Sequence, residues 1–89
     1  MNIRYSRRAM SQLASVFKYL QERNGSAAEN VTAGIRSTIA RLEEMPLLGK
    51  ATDEAGVFVI IEPEYHYRVF YVVEGQQVFV VRILHGRQR

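Results

Sequence analysis

Two hydrophobic periods divide the chain. Residues 2–5, Asn-Ile-Arg-Tyr, alternate polar and apolar and predict a short strand. Apolar residues then recur at Ala9, Met10, Leu13, Val16, Phe17 and Leu20, the spacing of one helical face. With Ser6 as N-cap, this predicts an amphipathic helix over 7–23. Asn24-Gly25 stops it, with Gly25 in the left-handed conformation that ends many helices. Ser26 and Glu29 have capping-box spacing, and a second helix is predicted over 27–45. Val31, Ile35, Thr38, Ile39, Leu42 and Met45 form its apolar face, and Pro46 ends it. So short a link makes the two helices an antiparallel hairpin.

Residues 46–56, with Pro46, Gly49, Asp53 and Gly56, read as a loop. The period then shortens. Val57–Ile61 is rich in β-branched and aromatic residues and predicts a strand. Glu62-Pro63-Glu64 breaks it. Strands follow over 65–73 and 78–85, joined by a tight turn at 74–77 in which Gly75 supplies positive φ. The order β-α-α-β-β-β argues an α+β fold, with an antiparallel helical hairpin on one face of a small, mainly antiparallel sheet.

Strict alternation through the 74–77 turn places His66, Arg68, Phe70 and Val72 on one face with Phe79, Val81, Ile83 and His85. Tyr67, Val69 and Tyr71 share the other face with Val78, Val80 and Arg82. Both faces are largely apolar, and alternation does not say which one the helices cover. If it is the tyrosine-bearing face, Met10, Leu13, Phe17, Ile35, Leu42, Val69 and Val80 form the core.

Composition narrows the chemistry. The 89 residues make one domain and contain no cysteine, which excludes a disulfide scaffold, a thiolate metal site and a cysteine nucleophile. No apolar run is long enough to cross a bilayer, and the N-terminal residues do not read as a secretory leader, so a cytoplasmic protein is expected. The two histidines and scattered carboxylates form no spaced metal set, and there is no glycine-rich phosphate loop, so neither metal nor cofactor is expected. The net charge of +3 is unevenly spread: residues 1–23 and 68–89 are basic, the middle is acidic, and ten of the twelve cations are arginine. Arginine's planar fork suits carboxylate and phosphate, which points to an acidic partner or to a simply solvated surface. Arg68, His85 and Arg87 could gather round a phosphodiester with His85 as acid or base. The favoured reading is plainer: Arg68 pairs with a carboxylate such as Glu62 or Glu64, and His85 packs at a strand end.

Four segments carry a resemblance to a known family: Ile3-Arg-Tyr-Ser-Arg-Arg-Ala9, Leu42-Glu-Glu-Met-Pro-Leu-Leu-Gly49, Tyr67-Arg-Val-Phe-Tyr71 and Val81-Arg-Ile-Leu-His-Gly-Arg-Gln88. In this order and spacing the chain resembles the ParE toxins of the RelE/ParE superfamily of bacterial type II toxin–antitoxin systems. The resemblance implies a toxin held inactive by a cognate, ParD-like antitoxin in a hetero-oligomer. It implies DNA gyrase as target, with no membrane and no sequence-specific DNA binding. The alternative within the superfamily is a RelE-like, ribosome-dependent mRNA endonuclease. Such nucleases carry two lysines on the strand before the Tyr-Arg strand and a tyrosine after the C-terminal arginine. By register, Val59 and Ile61 stand at the lysine positions, and no tyrosine follows Arg87 in the sequence. No catalytic residue is therefore assigned, and an enzyme is not expected. The candidates for target binding are Arg68, Arg82, His85, Arg87 and Arg89. The candidates for antitoxin binding are Arg4, Arg7, Arg8, Met10, Phe17 and Arg82.

Overall fold

A computed structural model describes residues 1–85. Strand β1 (Asn2–Tyr5) leads into helix α1 (Arg7–Arg23) and helix α2 (Gly25–Ala40), which continues as a 3₁₀ turn at Arg41–Glu43. Four strands follow: β2 (Lys50–Ala51), β3 (Phe58–Ile61), β4 (Tyr67–Glu74) and β5 (Gln77–His85). They form one sheet in the order β1-β5-β4-β3-β2. The β1–β5 pair is parallel and the others are antiparallel. The α+β expectation holds with one strand added, since the predicted 46–56 loop contains β2, paired through Lys50–Val59 and Ala51–Phe58.

The helical hairpin turns on one residue. Asn24 has an extended backbone; its N–H donates to the Leu20 carbonyl, closing α1, and its Oδ1 accepts from the Ala27 N–H, opening α2. The N-cap is therefore Asn24, two residues before the expected capping box, and Gly25 is helical rather than left-handed. Asparagine suits both duties, because its short amide competes with the backbone for donors. α2 also tightens to 3₁₀ geometry well before Pro46, which buries Leu42 and leaves Met45 exposed.

The helices cover the tyrosine-bearing face. Ile35, Ile39 and Leu42 meet Ile60, Val69, Tyr71, Val78 and Val80 in one core, all buried. Tyr71 reaches through it to accept a hydrogen bond from the Gly49 N–H at 2.9 Å. A Cβ at residue 49 would lie 2.6 Å from the Val59 carbonyl oxygen and 2.7 Å from the Tyr71 hydroxyl, so glycine alone fits there. At the other end of the sheet Gly75 (φ +59°) makes the two-residue turn between Glu74 and Gln77.

Two expected core residues are not in the core. Met10 is 61% exposed and Phe17 38%. Ala9 and Leu13 take the buried stripe of α1, with Val16 and Leu20 packed against it. The apolar face of α1 is wider than the sheet and α2 together can cover.

The β4–β5 register departs from strict alternation. Tyr71 faces Val80 but Phe70 faces Arg82, so Val81 is an extra residue, a β-bulge. The backbone groups it frees are taken up by α1. Ser6 Oγ donates to the Val81 carbonyl at 2.9 Å while accepting from the Ala9 N–H, and Gln12 Oε1 accepts from the Ile83 N–H at 2.7 Å. Beyond the bulge, every side chain of β5 changes face. Ile83 and His85 join the helix side, and Arg82 and Leu84 join the open side.

Candidate functional site

The bulge decides which candidate residues meet. Arg68 and Arg82 share the helix-free face, both beside Phe70, with guanidinium carbons 5.8 and 4.2 Å from its ring centroid. Their cationic planes over the ring give electrostatic attraction and cover Phe70, which is buried although no helix lies over it. The Arg82 Nε is buried with no hydrogen-bond partner among the described residues, an arrangement that costs about 1–3 kcal/mol. His85, expected beside Arg68, is on the opposite face. Its cross-strand neighbour is Tyr67, and the two rings meet edge to face at 5.0 Å. The proposed Arg68–His85 pairing is thus corrected by one inserted residue. Arg87 and Arg89 lie outside the described residues.

Glu62, offered as an alternative partner for Arg68, is fully buried and organises the β3–β4 turn. Its two carboxylate oxygens accept from the N–H groups of Glu64 (2.8 Å) and Tyr65 (2.6 Å). Its backbone carbonyl accepts from the His66 N–H, and His66 stands at φ +65°, a strained value for a non-glycine residue. This turn replaces the first two residues of the strand predicted over 65–73. Gly34 of α2 lies against this carboxylate, and a Cβ there would stand 3.4 Å from Oε2, close to ordinary van der Waals contact.

The antitoxin candidates divide between two surfaces. Met10 and Phe17 line a cleft of about 460 Å³ with Tyr5, Leu13, Thr32 and Arg36. Desolvation raises the Tyr5 phenol above its ordinary value, and the Arg36 charge partly offsets this. Arg36 and Tyr5 were missed from the sequence. The only local sign of Arg36 is its position one turn after Thr32, whereas its cleft forms when β1 docks beside the hairpin. Arg4, by contrast, stands opposite Phe79 on the helix-free side, alternating with Ile3 and Tyr5, which pack against the core; at the sheet edge it also borders a cleft with Arg36, Ile39 and Glu43. Arg8 and Arg82 line a smaller pocket of about 220 Å³ on that side with Glu54, Val57, Val72 and Val81. Arg7 is solvent-exposed in the first turn of α1.

Among the described residues no group of histidine and carboxylate side chains could hold a metal ion. No helix there is long and apolar enough to cross a membrane.

A search of curated proteins finds no match. Solved structures share the fold. The chromosomal ParDE toxin–antitoxin system from P. aeruginosa matches with a TM-score of 0.86 at 17% identity, covering 96% of this chain and 95% of the other. The intact E. coli RelBE toxin–antitoxin complex matches with a TM-score of 0.69 at 15% identity, covering 98% of both chains. A YoeB/ParE toxin from Agrobacterium tumefaciens matches with a TM-score of 0.63 at 17% identity, covering 96% of this chain and 98% of the other. The family model for the ParE toxin of the type II toxin–antitoxin system parDE matches residues 3–89. With the segments singled out in the sequence all falling inside that match, and the hairpin-on-sheet fold around them, the chain belongs to the ParE toxin family of type II toxin–antitoxin systems.

Proposed function

We propose that this toxin acts by binding a protein target, DNA gyrase, and is neutralised by a cognate antitoxin, rather than by cutting RNA. The observation that carries the non-nuclease reading is the separation of His85 from Arg68 and Arg82 onto opposite faces. General acid–base cleavage needs a titrating group and cationic stabilisers around one phosphate. Here the arginines share a face with Val59 and Ile61, where a RelE-like nuclease would carry lysines. Arginine binds phosphate but does not exchange protons near neutral pH, and two aliphatic side chains stabilise no charge.

The cleft between β1 and the helical hairpin is the antitoxin site in this reading. Its exposed Met10 and Phe17 suit aliphatic or aromatic anchors, and Arg36 suits a carboxylate among them. The structures of the ParDE system and the RelBE complex, solved as toxin–antitoxin systems, support such a partner. Binding the folded toxin alone, the antitoxin raises its melting temperature by linkage.

The test uses toxin released from co-expressed antitoxin. Inhibition of gyrase supercoiling, with messenger RNA left intact in a ribosome-containing extract, is the expected result. Messenger RNA cutting that disappears in His85→Ala would overturn the reading.

A further inference from the structure

We infer that the helix-free face of the sheet is the surface by which the toxin grips its target, and that the target presents there a protein segment carrying carboxylates among apolar side chains. This rests on the reading of the protein as a toxin with a protein target.

Three features of the face lead to that chemistry. It is apolar where water reaches it. Val59, Val72, Phe79 and Val81 are only partly covered, and Ile61 is 54% exposed. Second, the charges set among these side chains are mainly positive. Arg4 stands opposite Phe79, Lys50 opposite Val59, and Arg82 over Phe70. Two acids lie on the same side, Glu54 at the pocket and Glu74 beside the β4–β5 turn. Third, one cation is held in place before any partner arrives. The Arg82 guanidinium rests on the Phe70 ring, with Nε buried and without a hydrogen-bond partner among the described residues, beside the pocket it lines with Arg8. Val57, Val72 and Val81 form the apolar walls of that pocket. A planar fork fixed beside aliphatic walls fits a carboxylate whose methylene stem packs on valine.

The same details select a protein over a nucleic acid. Single strands bind where aromatic faces are open for bases to stack. On this face the Phe70 ring is occupied by guanidinium and the pocket beside it is walled by valine, which leaves Phe79 as a single partly open ring among the described residues, where stacking successive bases takes several. A second copy of this chain is disfavoured, because it would set one cationic face against another.

Two charge reversals test the inference: Arg82→Glu, and Lys50→Glu at an exposed position where folding is not at stake. Each is expressed with and without antitoxin, and growth inhibition and antitoxin affinity are measured together. The expected result is a loss of growth inhibition of about tenfold or more, as for a charge removed from a complementary interface. Antitoxin affinity stays within about twofold, as for sites that share no partners. Variants as toxic as the parent overturn the inference and leave the toxin reading standing. Antitoxin affinity falling in step with toxicity reassigns the face to the antitoxin and also overturns it. A fluorescein-labelled single-stranded RNA bound by the parent and released by Arg82→Glu gives the face to nucleic acid, with the same consequence. A parent chain that does not inhibit growth at all sinks the toxin reading, and this inference with it.

Discussion

The two faces of the five-stranded sheet are made of similar residues and do different work. On the helix side, Val69, Tyr71, Val78 and Val80 are wholly removed from water and meet Ile35 and Leu42 in a closed core. On the other side, Val72, Phe79 and Val81 are only partly covered, and arginines stand where the first face has tyrosines. Valine on one face sets the stability of the fold; valine on the other stays within reach of solvent and, in the role proposed above, of the target. A small domain has too little chain to bury both. The difference teaches that β-branched residues in this sheet report strand formation, and only their neighbours report whether they hold the fold or serve binding.

The largest effect expected is on the closed side. Ile35→Ala, at a fully buried position, should lower unfolding free energy by about 2–5 kcal/mol in denaturant titrations. Val72→Ser on the open side should change it by no more than about 1 kcal/mol. Equal losses would mean that the two faces are not energetically distinct. Gly49→Ala comes next. The added methyl meets the Val59 carbonyl and the Tyr71 hydroxyl, and overpacking of this kind costs about 1–3 kcal/mol. Combining it with Tyr71→Phe should recover part of the loss in the same titration.

Ser6→Ala should cost about 0.5–2 kcal/mol, the range for a lost N-cap. It also removes the donor to the Val81 carbonyl, so amide exchange should accelerate at the bulge as well as in the first turn of α1. Faster exchange confined to the helix would detach the bulge from Ser6.

Alkaline pH should act on the closed side through its phenols. Burial raises Tyr5, Tyr67 and Tyr71 above the ordinary value of 10.0. The unfolded chain then releases these protons first. Their stabilising contribution is full below about pH 10 and is lost as pH climbs through the raised values. Melting temperature should fall across that window, and Tyr71→Phe should reduce the slope. The smallest effect is expected on the open side. Added salt, which screens exposed charges, should weaken target binding while leaving the melting temperature nearly unchanged.

Much of the fold was legible locally. The 3.6-residue spacing from Ala9 to Leu20 and the Ser6 cap defined α1 to the residue, because both are written within one helix. The strands from Phe58 to His85 shifted by two residues or fewer, since β-branched runs bounded by turn residues are a local signal. The helix join was less legible, because Asn24 and Ser26 are both good caps and only the path into α2 chooses between them. β2 was invisible because two residues cannot display a period. Of the candidate site, residue types were legible and groupings were not. The Arg68–Arg82 pair depends on the bulge within the β4–β5 hairpin, and the Tyr5–Arg36 cleft requires elements distant in the chain.

By itself, the sequence determined where the two helices and the longer strands form, that the helices fold back on each other, and that both sheet faces are apolar. Tertiary structure alone decided which face the helices cover and on which face Arg82 and His85 lie. Alternation divides a strand into two sets without saying which set is inside. The bulge that exchanges Arg82 and His85 has no local mark, because Val81 is as good a strand residue as its neighbours. It is held by Ser6 and Gln12, more than seventy residues earlier in the chain, which supply the hydrogen bonds an inserted residue would otherwise lose.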